Sequence, residues 1–186
     1  MGCSKTIWVD TETTGLNCKE DQIIELAALC GKDTFHEYCL PKEKPKNWDK
    51  IEELTGITWE FLEKNGISED VLYHRFEMWL GNHVDRYNKK DKAVFAGYGS
   101  RFDSDFIRAM FERFYNKFYG SYFISITLDV QSFVAENVAS GIITLLDNFK
   151  LSTVCDHFGI EFKAHSAIED VRAAKELFEK CKKNVE

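Results

Sequence analysis

Near the start of the chain a short β-branched and aromatic run, Thr6-Ile7-Trp8-Val9, ends on two carboxylates, Asp10 and Glu12. Apolar residues at successive rather than alternate positions describe a strand buried on both faces. A strand of that kind sits inside a sheet whose faces are covered, so the rest of the chain must supply further strands and the helices that cover them. With 186 residues, 44% of them apolar, the chain has enough material for such a core, and one domain spanning residues 1–186 is expected. Eleven glycines and two prolines exclude collagen-like and low-complexity classes. No apolar run approaches the roughly 20 residues of a membrane span.

Further elements follow from pattern. Gln22–Cys30 and Thr34–Tyr38 have strand character, with Gly31-Lys32-Asp33 as the turn between them. Residues 47–80 turn helical, opened by Asp49 and Glu52 at capping-box spacing. Ala93–Ala96 is a short strand. From Phe106 the aromatics Phe111, Phe114, Tyr115, Phe118 and Tyr119 recur at steps that predict one helix, stopped by Gly120. Ile124–Asp129 is a strand, and Val130–Val138, Leu151–Phe158 and a final segment through Cys181 are helices. The fold class is α/β, a mixed sheet flanked by helices.

Three places carry chemistry. Residues two apart on a strand point to the same face, so Asp10 and Glu12 present two carboxylates together, hard ligands suited to Mg²⁺ or Mn²⁺. Gly15 behind them permits a tight turn that lets backbone N–H groups approach a substrate. Near the other end stands His165-Ser166-Ala167-Ile168-Glu169-Asp170. Five residues correspond to about 140° around a helix, so His165 and Asp170 do not share a helical face. Asp170 is expected in the first turns of the last helix and His165 on the loop before it, placed to take a proton from water. Between them, Asp103 and Asp105 flank a helix start in Gly97-Tyr98-Gly99-Ser100-Arg101-Phe102-Asp103-Ser104-Asp105, and local chemistry leaves open which one serves a metal.

The formal charge of −7 argues against a broad basic surface for nucleic acid, yet two divalent ions at a carboxylate cluster would offset over half of it where phosphate must sit. Lys42, Lys44, Lys46 and Lys50 form a basic run whose simplest reading is a solvated loop. Six scattered cysteines without a C-x-x-C pair fit reduced thiols in an intracellular setting, cytoplasmic or nuclear. The opening Met-Gly-Cys-Ser-Lys-Thr matches a myristoylation pattern at Gly2, with Cys3 beside it, but leaves little tether before the first strand, and it is taken as a chance match.

Together, Asp10-x-Glu12 followed by Thr-Thr-Gly-Leu, Phe102-Asp103, and His165-x-Ala-x-x-Asp170 resemble the three motifs of the DnaQ-like 3′–5′ exonucleases, in order and over nearly the whole chain. The histidine branch, DEDDh, is the one matched, because Ser166 stands where the other branch has tyrosine. Leu54-Thr55-Gly56-Ile57-Thr58 is similar to a segment common between the first two motifs. The middle motif departs from the pattern: many relatives carry Asn four or five residues before the aspartate, where this chain has Gly99 and Tyr98. Gly-Tyr ahead of Arg-Phe-Asp, with Leu128-Asp129 downstream, resembles bacterial exonuclease I instead.

The resemblance implies an RNase H-like fold and a two-metal phosphodiesterase. Asp10, Glu12 and Asp170 would hold one Mg²⁺, Asp10 would bridge to a second near Asp103, and Mn²⁺ would substitute. It further implies His165 as general base, Thr13 beside the terminal nucleotide and Leu16 against its base. The expected substrate is the 3′ end of single-stranded nucleic acid, DNA favoured, with nucleoside 5′-monophosphates as product. An exoribonuclease and a catalytically silent subunit of a polymerase or repair assembly are the alternatives.

Overall fold

The computed structural model describes residues 5–163 and 165–183. Gly2 and Cys3, and with them the lipidation pattern, lie outside the described residues. Five strands, β1 (Lys5–Thr13), β2 (Ile23–Cys30), β3 (Asp33–Tyr38), β4 (Ala93–Gly97) and β5 (Phe123–Asp129), form a sheet in the order β3-β2-β1-β4-β5. β2 runs antiparallel to β1, and β4 and β5 run parallel to it, so the sheet is mixed with β1 at its centre. The helices are α1 (Trp48–Thr55), α2 (Trp59–Asn65), α3 (Glu69–His83), α4 (Arg101–Arg113), α5 (Tyr119–Tyr122), α6 (Val130–Ala139), α7 (Leu151–His157) and α8 (Ala167–Lys183).

The two buried faces expected of β1 are both present. Ile7 and Val9 pack with Phe106, Ile107 and Met110 of α4 and with α3 on one side of the sheet. Trp8, one residue out of phase, joins Val171 and Leu177 of α8 on the other, where its ring lies 5.5 Å from that of Phe178. A smaller cluster of Ile24, Trp48, Ile51 and Leu62 seats α1 and α2 beside β2.

Several boundaries differ from the pattern-based expectation. The turn between β2 and β3 is only Gly31-Lys32, because Asp33 already pairs with Cys30. Helix α1 begins at Trp48 behind Asn47, and no side chain caps it, so Asp49 lies inside the first turn rather than at a capping-box position. The aromatic stretch is not one helix. α4 stops at Arg113, Tyr115 takes a left-handed φ of 55°, and the Asn116 N–H returns to the Phe111 carbonyl at 2.9 Å. The Asn116 amide also donates to the Tyr73 hydroxyl at 2.7 Å, which anchors the reversal, and Gly120 then falls inside α5. Spacing misled because Phe111 and Tyr122 reach the same core from two separate helices, with rings 6.1 Å apart.

Candidate active site

The pleat of β1 sets the site. Asp10 and Glu12 follow Trp8 in phase, so they face α8, while Thr11 between them faces α4. Asp170 lies in the first turn of α8 and brings its carboxylate to the same face. One oxygen each from Asp10, Glu12 and Asp170 lies within 4.8 Å of the others. Asp103 arrives from the opposite side of the strand. Its Oδ1 accepts from the Thr11 N–H at 2.9 Å and from the Thr11 hydroxyl at 2.8 Å, which holds it beside Asp10 but outside the trio.

Burial separates the two aspartates that local chemistry could not. Asp103 is 4% exposed, whereas Asp105 turns outward to Arg101 at 3.7 Å. Both belong to the first two turns of α4, and two residues advance a helix by about 200°, so only one of them can face β1.

Every carboxyl of this cluster is pushed upward. Burial raises Asp10 most, followed by the charges of Asp103, Asp170 and Glu12. Glu12 rises to about 8, by burial and then by Asp170 and Glu25. Burial takes Asp170 to about 7 against the lowering effect of the hydrogen bond from the His165 N–H, and takes Asp103 to about 7 against those from Thr11. Burial of several acids together, which strips them of water and sets like charges side by side, is the physical cause. Asp170 Oδ1 is buried with no hydrogen-bond partner. An orphaned carboxylate oxygen beside two further hard donors fits a divalent cation well.

His165 stands on the loop before α8, as its spacing predicts, with a left-handed φ of 65°. Its backbone N–H donates to Asp170 Oδ2 at 3.3 Å, and the residue borders a cleft of about 530 Å³ that is also lined by Glu25, Tyr38 and Ser166. A second cleft of about 510 Å³ is lined by Glu12, Thr13, Leu16, Leu54 and Phe102. Leu16 is 88% exposed, so it does not pack beneath its own turn. The Thr13 hydroxyl donates to the Gly15 carbonyl at 2.6 Å. Gly15 leaves room for the Asp21 carboxyl, which accepts from Thr14 and Asn17: a Cβ there would come within 2.4 Å of it and displace it.

The altered middle motif has a structural account. Gly97 brings β4 against β1, where a Cβ would meet the Val9 carbonyl at 2.8 Å. Gly99 has φ 72°, and its N–H donates to Asp129 Oδ1, which also accepts from the Gln131 N–H. Asp129 thus caps α6 and holds the turn that aims α4 and Asp103.

Motif spacing did not reveal two residues here. Thr11 is the tether of Asp103. Glu25 is 1% exposed, pairs across the strands with Glu12, and lies 2.7 Å from the His36 ring. An acid inside the otherwise apolar Ile23–Cys30 strand is the signal that would have found it.

The chain belongs to the RNase T exonuclease family, whose model matches residues 7–178. It is 30% identical over 182 residues to the PolC-type DNA polymerase III of Bacillus cereus, covering 95% of this chain and 11% of that protein. It is 31% identical over 180 residues to that of Halalkalibacterium halodurans, covering 94% of this chain and again 11% of the relative. Among solved structures, Escherichia coli exonuclease I in complex with a dT13 oligonucleotide aligns with TM-score 0.79 at 22% identity, over 98% of this chain and 42% of that one. Exonuclease I from Methylocaldum szegediense aligns with TM-score 0.75 at 22% identity, over 95% and 40%. The fold is therefore the RNase H-like fold of exonuclease I. The chain spans about a tenth of the length of these polymerases and about two-fifths of the exonuclease I chains.

Proposed function

We propose that the chain is a single exonuclease domain that removes nucleotides from the 3′ end of single-stranded nucleic acid, DNA in the first place, releasing nucleoside 5′-monophosphates. One observation carries the reading: three acids converge within 4.8 Å and leave Asp170 Oδ1 buried without a partner. Two Mg²⁺ ions, replaceable by Mn²⁺, would be held by Asp10, Glu12, Asp170 and Asp103, and when bound they stabilise the attacking and leaving oxygens of an in-line displacement. The His165 imidazole takes the proton of the attacking water, and the hydrogen bond from its N–H to Asp170 Oδ2 ties its loop to α8. Thr11 fixes Asp103. Leu16 offers an exposed apolar edge to the terminal base, with Thr13 beside the sugar.

Single-stranded DNA is favoured because the exonuclease I structures that share this fold were solved with DNA oligonucleotides. The polymerase relatives favour a polymerase assembly as partner and an intracellular setting. Among the described residues no helix is long and apolar enough to cross a membrane.

The test uses 5′-labelled single-stranded DNA and RNA of the same sequence, with Mg²⁺ and then with EDTA. The expected result is a metal-dependent ladder that shortens from the 3′ end, faster on DNA. Faster RNA cleavage moves the assignment to an exoribonuclease, and tight binding without cleavage makes the chain a binding subunit.

A further inference from the structure

Helix α1 sorts its charges by face. Asn47, Lys50, Ile51 and Leu54 follow helical spacing and line the cleft that contains Glu12, Thr13 and Leu16. Asp49, Glu52 and Glu53 keep the same spacing on another face and border a separate hollow with Gly56. Of the described residues lining the Leu16 cleft, Lys50 is the one cation. It forms no ion pair with any carboxylate among the described residues. The other lysines of the basic run precede the helix, and Lys44 lies over the Trp59 ring at 5.7 Å. The four lysines are all exposed, and the last of them borders the Leu16 cleft.

We infer that Lys50 is a phosphate contact for the substrate strand in this cleft, and that the acidic face of α1 turns the strand toward it. The inference rests on the exonuclease reading for the identity of the ligand, a polyanionic single strand. A chain of net charge −7 repels such a ligand at long range, so a lone unpaired ammonium beside the acidic centre weighs heavily in the encounter. The cleft joins the metal-binding face through Glu12, and its volume of about 510 Å³ lies in the range of a nucleotide-sized site. A point charge on a flexible stem suits a phosphate whose neighbouring base changes at every cycle, because it makes no base-specific contact.

The experiment compares wild type with Lys50→Gln, Lys50→Arg and Lys44→Gln. Binding of a 5′-fluorescent oligothymidylate is followed by anisotropy in EDTA over a range of salt, and hydrolysis is followed separately in Mg²⁺. Lys50→Gln should weaken binding by about 2- to 10-fold and reduce the slope of log K against log salt by about 0.7, the release expected for one single-strand phosphate contact. KM should rise in step with little change in kcat, Lys50→Arg should restore the slope, and Lys44→Gln should behave as wild type. An unchanged slope and affinity in Lys50→Gln overturns the inference. That result, with active wild type, leaves the exonuclease reading intact, whereas wild type that binds but never shortens the strand sinks that reading and not this one.

Discussion

Asp170→Asn should stabilise the metal-free protein while destroying its activity. In the unfolded chain this carboxyl has its ordinary value of 3.8, and in the fold it sits at about 7, through burial first and then the charges of Glu25 and Glu169. A raised folded value means that the carboxyl's contribution to stability is fully present below pH 3.8 and is lost as pH rises through about 7. At roughly 1.4 kcal/mol per pH unit, the ionised group costs the fold at most about 4 kcal/mol by pH 8. The amide must still be desolvated, so the net gain for asparagine is about 1–3 kcal/mol. In a chain of this length that is a rise in Tm of roughly 3–10 °C. Thermal melts in EDTA at pH 8 should show it, and at pH 4.5, where ionisation costs only about 1 kcal/mol, the gain should vanish or reverse. On the proposed assignment of Asp170 as a metal ligand, saturating Mg²⁺ should reverse the order. A variant that melts below wild type in EDTA at pH 8 would refute the reasoning. It would mean that the hydrogen bond from the His165 N–H matters more to the fold than the buried charge costs.

Three further outcomes follow from the same geometry. The rise in Tm produced by Mg²⁺ should be larger at pH 8 than at pH 6, because Glu12 at about 8 and Asp170 at about 7 must release protons to bind it; calorimetry in two buffers of different ionisation enthalpy would count those protons, and a count of zero contradicts the raised carboxyls. His165→Ala should lower kcat by about 10²–10⁴-fold with Mg²⁺ affinity nearly unchanged, as befits a general base; a large loss of metal binding would make the imidazole a ligand. Thr11→Val keeps the backbone N–H but removes the 2.8 Å hydroxyl bond to Asp103, and should cost about 3- to 10-fold in kcat with KM unmoved; wild-type kcat would show that the backbone donor alone positions Asp103.

Much of this site was legible because period-2 alternation is a strong constraint. Once β1 is a buried strand, Asp10 and Glu12 must share a face, and the register confirms it, with Asp10 opposite Ala27 and Glu12 opposite Glu25. That His165 and Asp170 do not share a helical face also followed from the angle, which left the loop before α8 as the expected place for His165. Asp103 against Asp105 did not, because the decision depends on which side of α4 meets β1, a tertiary fact. Thr11 was invisible for the same reason: a threonine in a strand is ordinary until a carboxylate from another helix reaches it. The aromatic stretch failed differently, since one helical stripe and two short helices converging on one core leave the same spacing in the sequence.

The central position of β1 explains how carboxylates from both ends of the chain come together. With the order β3-β2-β1-β4-β5, β1 has a neighbour on each edge, but its pairing with β4 ends at Trp8, so its C-terminal half is open on that edge, where the Thr11 N–H meets Asp103. Asp170 on α8 comes from one side and Asp103 on α4 from the other, so three consecutive residues of β1 alternate their duties. Asp10 and Glu12 turn to α8, and Thr11 turns to α4. A slip of one residue in the pairing of β1 with β2 would put both acids under α4 and the threonine under α8, so the strand register that builds the core is also what assembles the carboxylates. The irregularity between Glu12 and Thr13 falls where this alternation is no longer needed, and from there the chain leaves the sheet to present Leu16 at the cleft that Lys50 borders.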